Sequence, residues 1–320
     1  MVFQKLIMHY EIKNARFHLP GQRSEATLAE ILKWQRSGLR QKWPSFIENK
    51  NHPAPPQRVL GADISATWVG HSTVLLQTAG LNILTDPFFS RRASPFQFAG
   101  PKRVRNPGIA LKDLPPIDVI LLSHNHYDHL DQPTLKALAK HHKAKLITPL
   151  GNGRHVSGHD VVELDWRQSH KVGPFNITAM PALHWSKRNL RDTNKSLWGA
   201  FVIQGPMGVI YFAADSGYGT GEHFREVAAK FGPPRLSLIP IGAYEPRWFM
   251  AAQHMNPHEA VQAHLDLQSQ TSLAIHHGTV QLTDEAIDAP VLALNVALAE
   301  KALTRKDFLV PDIGETLPIR

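Results

Sequence analysis

The segment Ser123–His129, with the sequence SHNHYDH, holds the residues best suited to chemistry in this chain. It directly follows an apolar run, which predicts a buried strand that ends at the segment. His124 and His126 are two residues apart, so in extended backbone they point the same way. Asp128 and His129 can turn towards a neighbouring point. These ligands predict two metal ions a few ångströms apart, an arrangement suited to hydrolysis of a phosphate ester or a related bond.

The composition narrows the kinds of metal site that the chain could form. With 19 histidines, an isolated histidine carries little information, but four candidate ligands within six residues form a much rarer pattern. The chain has no cysteine, which excludes disulfides, thiol nucleophiles, iron–sulfur clusters and cysteine-based zinc sites. Histidines and carboxylates must therefore hold any metal. We expect two zinc ions, with manganese or iron as alternatives.

Two ions need more ligands than one segment supplies. Three further candidates each follow a predicted strand: His184 after 175–180, Asp215 after 209–213 and His276 after 272–275. Taken singly, Asp215 could cap a turn and His184 could be a core histidine. Their joint position at strand ends favours a common site, and the two oxygens of Asp215 suit a bridge between two cations.

The elements that must position these residues alternate along the chain. Short strands at 64–69, 73–78 and 81–84 predict a β-meander. Further strands are predicted at 118–123, 145–148, 161–164, 175–180, 198–203, 209–213, 237–241 and 272–275, and helices at 132–141 and 257–267. Asn256 and Glu259 have the spacing of a capping box at the start of the last helix. Two β-rich halves with outer helices predict an α/β fold, a four-layer αββα sandwich, although no sequence repeat proves a duplication.

Residues 1 to about 60 are predicted to be an N-terminal helical or irregular segment, and residues 61–320 the main domain. A helix is predicted over 24–43, and Pro44 with the prolines of 53–56 ends it. This helix either packs on the main domain or lies on a membrane surface. We favour packing, because the helix is only moderately amphipathic.

The overall composition is that of a globular protein. The chain has 320 residues, 42% of them hydrophobic and 19% charged, and no apolar run near the roughly 18 residues of a membrane span. The N-terminus lacks a signal-peptide pattern, so we expect a cytoplasmic protein. The formal net charge of +8 serves solubility or attracts an anionic partner: a phosphate ester, a membrane surface or nucleic acid. No recognisable motif supports sequence-specific nucleic-acid binding.

Several segments between about residues 60 and 280 resemble the metallo-β-lactamase-fold hydrolases. More narrowly, they resemble the N-acylphosphatidylethanolamine-hydrolysing phospholipases D and their bacterial relatives. The matching segments are 68–73, 84–87, 92–95, 100–103, 123–131, 184–188, 194–199, 212–218, 239–250 and 274–276. The histidine-rich segment identifies the superfamily, whereas the run PIGAYEPRWFM at 240–250 is far more specific.

The resemblance implies a role for each candidate. One metal ion would be held by His124, His126 and His184, and the other by Asp128, His129 and His276, with Asp215 bridging. Asp86 would accept a hydrogen bond from a ligand imidazole. Arg188 would bind a phosphate group, and His254 would assist proton transfer or be an ordinary loop histidine. Asp128, Asp215 and His254 are thus the expected catalytic residues. His277 matches a tryptophan-like position of the family, so we exclude it from the ligands.

The implied activity is zinc-dependent hydrolysis of a phosphodiester, releasing N-acylethanolamine and phosphatidic acid from a membrane lipid. The basic, aromatic segment 88–96 could lie at the bilayer, which would make a cytoplasmic protein peripheral at the inner face of the membrane. The resemblance also implies that the protein could form a homodimer. The N-terminal 60 residues and the tail after about residue 303 match less well, so the substrate is the least constrained inference.

Three alternatives stay open. The first is another hydrolase of this fold, such as a sugar-phosphate lactonase or a hydrolase of another soluble phosphodiester or of nucleic acid. The second is a redox di-iron protein of this fold, but those have glutamate at the position of His126. The third is a non-catalytic module in which metal only stabilises the fold.

Overall fold

The computed structural model of the protein describes residues 8–20 and 27–319. Its strands are β1 (Glu11–Lys13), β2 (Arg16–His18), β3 (Ile64–Gly70), β4 (Thr73–Thr78), β5 (Leu81–Thr85), β6 (Val119–Leu121), β7 (Lys145–Pro149), β8 (Asp160–Leu164), β9 (Ser169–Val172), β10 (Phe175–Met180), β11 (Ala200–Gly205), β12 (Gly208–Phe212), β13 (Leu236–Pro240), β14 (Ser272–Ile275), β15 (Phe308–Leu309) and β16 (Thr316–Ile319). Its helices are α1 (Leu28–Arg36), α2 (Gln132–His141), α3 (Glu222–Phe231), α4 (Arg247–Met250), α5 (Pro257–Asp266) and α6 (Ala289–Glu300).

The strands form two large sheets with the same pattern of pairing. Sheet I has the order β16-β3-β4-β5-β6-β7-β8, and sheet II has the order β9-β10-β11-β12-β13-β14-β15. In each order the first three pairings are antiparallel and the last three are parallel. The two halves therefore share a topology, although their sequences show no clear repeat.

The sheets pack face to face, with helices on both outer surfaces. Val119 and Leu121 of β6 point into the core between the sheets, whereas Ile120 points to the other face, which α2 covers. This alternation follows from the two-residue period of a strand, and burial on both faces explains the unbroken apolar run. On sheet II, Phe224 of α3 and Leu294 of α6 belong to the outer core. The predicted four-layer αββα sandwich is confirmed.

The N-terminal helix is shorter than the sequence predicted. α1 begins after Thr27, whose side chain forms a capping box with Glu30, and it ends before Gly38. The backbone of Gly38 is left-handed (φ 64°), which terminates the helix, so the prediction of helix up to residue 43 is wrong. Residues 24–26 of that prediction lie outside the described residues.

α1 and the segment after it each contact the main domain through a tryptophan. Nε1 of Trp34 donates to the carboxylate of Asp284 at 2.8 Å, and Nε1 of Trp43 donates to the backbone oxygen of Glu285 at 2.8 Å. The segment therefore lies against the loop that follows β14. Within the described ranges, the helices are too short or too polar to span a bilayer.

Candidate metal centre

The histidine-rich segment leaves β6 and turns directly into α2. The backbone N–H of Leu130 donates to the backbone oxygen of His126 at 2.8 Å, closing a turn over 126–130. His124 thus continues the direction of the strand, whereas Asp128 and His129 lie on the turn. This local geometry explains why one short segment can supply ligands to two neighbouring points.

Three imidazole nitrogens form the first group of ligands. His126 Nδ1 lies 2.9 Å from His124 Nε2 and 3.2 Å from His184 Nε2. Ligands of a tetrahedral zinc ion, each at about 2.0–2.1 Å, lie roughly 3.3 Å apart. The three nitrogens therefore have close to the spacing that one ion requires.

The second group combines two imidazoles with a carboxylate. Asp128 Oδ2 lies 3.4 Å from both His129 Nε2 and His276 Nε2. Asp215 is placed against the same rings, with Oδ2 3.2 Å from His129 Nε2 and Oδ1 3.2 Å from His276 Nε2. Its Oδ2 is also 3.7 Å from His184 Nε2 of the first group. The structure thus brings together all seven predicted ligands, and Asp215 contacts both groups.

Several polar atoms on the candidate ligands are buried without a hydrogen bond. His126 Nε2, His129 Nε2, His276 Nε2 and Asp215 Oδ1 have no partner of acceptable geometry among the described residues. Burial of an unpaired polar atom is costly, so native structures rarely leave several together. His129 Nε2, His276 Nε2 and Asp215 Oδ1 all face the second group, where a divalent cation would satisfy the three of them. The residues present therefore fit the metal ions that the sequence implied.

Asp86 holds the ring of His129, one of the candidate ligands. Its Oδ2 accepts hydrogen bonds from His129 Nδ1 and Ser123 Oγ, both at 2.6 Å, and its Oδ1 accepts from the Ser123 N–H at 2.7 Å. The backbones of Asp86 and His276 are left-handed, with φ of 29° and 59°. Such backbone costs about 1–3 kcal/mol per residue outside glycine and is concentrated at functional sites.

The charges of the centre support one another. Burial alone would raise the pKa of Asp215, but His129 and His276 outweigh it and hold that pKa well below the ordinary range. Burial also opposes a charge on His276, yet Asp215 and Asp128 raise its pKa to about 9. In the first group, burial lowers the pKa of His124 well below its ordinary value. The first group therefore offers neutral imidazoles, whereas in the second group a cation would take the place of the protons that the carboxylates stabilise on His129 and His276.

His254 lies at the edge of the centre. Its Nδ1 is 3.9 Å from Asp215 Oδ2, and its ring centroid is 5.1 Å from that of His184. Its backbone oxygen accepts a hydrogen bond from Arg247 at 2.9 Å, and Arg247 also pairs with Glu259 at 2.8 Å. Burial lowers the pKa of His254 to about 4. The ring is thus a neutral group beside the ligands.

Arg188 is bound to the histidine-rich segment. Its Nη1 donates to the backbone oxygens of Asn125 at 2.9 Å and Leu130 at 2.7 Å. Its guanidinium carbon lies 4.1 Å from the ring centroid of Tyr127, whose hydroxyl donates to the backbone oxygen of Arg188 at 2.7 Å. These contacts of Arg188 hold the histidine-rich segment in place. The role of Arg188 in phosphate binding stays a prediction.

Sequence reasoning missed His71. It lies in the turn between β3 and β4, and its Nε2 is 2.8 Å from Asp128 Oδ2. A histidine in a tight turn between two apolar strands was the available signal. His277, which was excluded from the ligands, stacks on Trp68 with ring centroids 4.6 Å apart and belongs to neither group.

Residues 81–277 match the family model described as the beta-lactamase superfamily domain. The chain belongs to the beta-lactamase superfamily. Within this superfamily, N-acyl-phosphatidylethanolamine-hydrolyzing phospholipase D 1 of Caenorhabditis elegans is 39% identical over 265 residues, covering 78% of the chain and 74% of the relative. The mitochondrial yeast enzyme of the same name is 35% identical over 259 residues, 78% of the chain and 55% of the relative.

An uncharacterized protein of Mycobacterium tuberculosis is 40% identical over 249 residues, 75% of the chain. The chain spans 66% of the length of that relative. Among solved structures, an isothiocyanate hydrolase from Delia radicum gut bacteria superposes with a TM-score of 0.62 at 20% identity, covering 79% of the chain and 98% of the neighbour. A metallo hydrolase from Ignicoccus hospitalis gives 0.60 at 18% identity, with 81% and 99% covered.

The solved structures establish the fold, and the sequence relatives narrow the class of protein within it. The family and its phospholipase D relatives support the predicted class of protein, a metal-dependent hydrolase.

Proposed function

We propose that this protein hydrolyses a phosphodiester bond with two zinc ions, and that its substrate is an N-acylphosphatidylethanolamine-type phospholipid. The observation that carries the proposal is the contact of Asp215 with both ligand groups, 3.2 Å from His129 and His276 and 3.7 Å from His184. A carboxylate shared in this way suits two adjacent cations, which act together on attacking and leaving oxygens.

The ligands divide between the two ions as the resemblance implied. One ion would be held by His124, His126 and His184, and the other by Asp128, His129 and His276, with Asp215 shared. When bound, the two ions would supply an activated water at neutral pH and polarise the phosphoryl oxygens. Five imidazoles and two carboxylates favour zinc, with manganese or iron as alternatives.

The chain's own residues would hold the reacting groups and move the proton. Asp86 keeps the ring of His129 in place, because its Oδ2 accepts a hydrogen bond from Nδ1 of His129 at 2.6 Å. His254 is neutral beside Asp215, so it could accept a proton during the attack and return it to the leaving oxygen. Asp128, Asp215 and His254 are thus the proposed catalytic residues.

The proposal of a lipid substrate draws on the names of the relatives and on one exposed surface. Phe96 and Phe98 are 56% and 81% exposed, and their rings stack with centroids 5.3 Å apart. Arg91 and Arg92 precede them on the same loop, after β5. Exposed aromatic rings beside basic residues suit the surface of an anionic membrane. We therefore propose that the protein is cytoplasmic and binds peripherally at the inner face of the membrane.

Product analysis tests the proposal. Purified zinc-loaded protein is offered N-acylphosphatidylethanolamine in mixed micelles, beside an EDTA-treated sample and the variant Asp215→Ala. We expect zinc-dependent release of N-acylethanolamine and phosphatidic acid, and loss of both activity and bound metal in the variant. Asp160→Ala, which removes an exposed carboxylate on β8, is the matched control and should retain both.

Other outcomes decide between the remaining classes. Metal-dependent hydrolysis of soluble phosphodiesters or sugar-phosphate lactones, without turnover of the lipid, would move the substrate away from membranes. Two bound ions with no hydrolysis in any of these assays would contradict the proposed activity and favour a non-catalytic metal module.

A further inference from the structure

His71 is fixed between the two halves of the fold by its backbone. Its N–H donates to Thr279 Oγ1 at 3.0 Å, and its carbonyl oxygen accepts from the His276 N–H at 2.9 Å and from Trp68 Nε1 at 2.9 Å. The backbone of His71 is left-handed (φ 55°), so its conformation is held by these contacts against its own preference. The backbone of the proposed ligand His276 is thereby hydrogen-bonded to the turn that contains His71.

The ring of His71 reaches the carboxylate of a second ligand. Its Nε2 lies 2.8 Å from Asp128 Oδ2, and that same oxygen is 3.4 Å from the Nε2 atoms of His129 and His276. An ionised carboxylate can only accept, so Nε2 of His71 carries the proton. The contact is therefore a donated hydrogen bond to the oxygen that faces the second group.

His71 also packs against the ligand ring that its backbone holds. The ring centroids of His71 and His276 are 4.1 Å apart, and Phe88 lies on another side of His71 with a centroid distance of 5.9 Å. The ring is buried. It therefore contacts two members of the second group, one by a hydrogen bond and one by packing.

We propose that His71 is a positioning residue that aims Asp128 and His276 at the second metal ion. Its Nε2 is not a ligand in this arrangement, because the lone pair of that nitrogen carries the proton donated to Asp128. The proposal rests on the metal centre assigned under the proposed function. It adds a residue that acts through the ligands, as hydrogen-bonded partners of ligands do in other metal sites.

Metal titration of three variants tests this role. In His71→Leu the donor is lost, and we expect the affinity for one of the two zinc ions to fall about 10- to 100-fold while the other is retained. In His71→Gln the amide nitrogen can reach the position of Nε2 and donate, so we expect most of the affinity to return. His264→Leu removes an equally buried imidazole, bonded to Ser272 on the outer side of sheet II, and should bind both ions as the wild type does.

Three measurements accompany the metal titration, which uses a chromophoric chelator. The absorption spectrum of the cobalt-loaded protein reports which coordination shell changes, and steady-state kinetics should show a lower kcat in His71→Leu with little change in KM. Thermal unfolding in EDTA checks that each variant folds. If His71→Leu does not fold, His71→Asn replaces it, because its shorter amide leaves Asp128 without the donor, and it should lose the same affinity.

The outcomes separate this proposal from the one on which it rests. Wild-type affinity for both ions in the variant that lacks the donor would overturn the positioning role. Equal losses in that variant and in His71→Gln would also overturn it, since they would show that the imidazole itself is required as a ligand. A wild-type protein that binds fewer than two ions would instead contradict the proposed two-metal function.

Discussion

Asp86 Oδ2 accepts a hydrogen bond from His129 Nδ1 at 2.6 Å, and both side chains are fully buried. Because the carboxylate only accepts, the proton of a neutral ring must sit on Nδ1. Nε2 of His129 is then left to face Asp128 and Asp215. This one contact selects the tautomer, the orientation and the basicity of a ligand in the second group.

The substitution Asp86→Asn should therefore weaken the centre without touching a ligand. The amide cannot replace a carboxylate that accepts from both His129 and Ser123, so we expect about 10- to 100-fold lower affinity for one zinc ion and a similar fall in kcat. Titration with a chelating indicator measures the affinity. Ser123→Ala leaves the His129 contact but removes a bond to Asp86 and the contact of Ser123 Oγ with His124 Nδ1 at 2.8 Å, so it should weaken binding of the other ion instead. Unchanged metal affinity in Asp86→Asn would contradict the orienting role.

Arg188 offers a test between fixing the metal segment and binding the substrate. If its bonds to the carbonyls of Asn125 and Leu130 are what matter, Arg188→Ala should destabilise the fold by about 1–3 kcal/mol and lower kcat with little change in KM. Lysine cannot reproduce the planar fork, so Arg188→Lys should recover little. Urea denaturation and steady-state kinetics measure these effects.

The control for Arg188 is Arg191→Ala, which removes an exposed cation from the same loop. It should leave stability and kcat near the wild-type values. A rise in KM for Arg188→Ala, with stability and kcat unchanged, would instead support the phosphate-binding role that the sequence resemblance implied.

The parts of the fold that sequence predicted well depend on local patterns. β6 was visible as an apolar run, and the start of α5 was visible from Asn256 and Glu259, whose reciprocal hydrogen bonds the structure confirms. The convergence of His184, Asp215 and His276 followed from a general property of sheets, namely that successive strand ends meet at one edge. Local signals and one topological rule were therefore enough to bring the ligands together.

Two of the elements that sequence missed lack such signals. α6 is apolar on all sides, with Leu292 and Val296 exposed, so it shows no 3.6-residue period. β16 is a short strand that contains Pro318. It forms by pairing with β3, which is far away in the sequence. Both depend on tertiary packing, which overrides local preference.

His71 was missed for a related reason. Its partner Asp128 lies 57 positions away in the chain, so nothing near His71 in sequence indicates the contact. Arg188 shows the same limit, because its partner Asn125 is 63 positions away. Motif resemblance can name such residues, but their partners become known only from the folded chain.

The exposed ring pair leads to a prediction about membrane contact. The double variant Phe96→Ser and Phe98→Ser should bind vesicles containing anionic phospholipid several-fold more weakly, because it removes apolar surface that would enter the interface. Hydrolysis of a soluble phosphodiester should be unchanged. Vesicle sedimentation measures the binding. Leu292→Ser, which removes an exposed apolar side chain from α6, is the matched control, and equal binding of all three proteins would contradict membrane contact through this loop.

Acid sensitivity provides a test on a histidine that is not a proposed ligand. His223, at the start of α3, is buried, and its ring bonds with Ser216 Oγ at 3.1 Å. Burial, followed by the charge of Arg225, lowers the pKa of His223 to about 3. An unfolded histidine has a pKa near 6.5, so between pH 6.5 and 3 the unfolded chain takes up a proton that the folded protein does not. Acidification therefore favours unfolding over this range.

The sign of this linkage predicts how His223→Leu should behave. The variant loses a hydrogen bond and should be less stable at pH 7, but its free energy of unfolding should fall by about 2 kcal/mol less than that of the wild type between pH 7 and pH 5. Urea denaturation at both pH values, with EDTA present so that metal release does not contribute, measures the difference. His258→Leu, which removes a half-exposed histidine from α5, should keep the wild-type acid dependence. An unchanged acid dependence in His223→Leu would show that this ring takes up its proton equally in both states, against the effect of its burial.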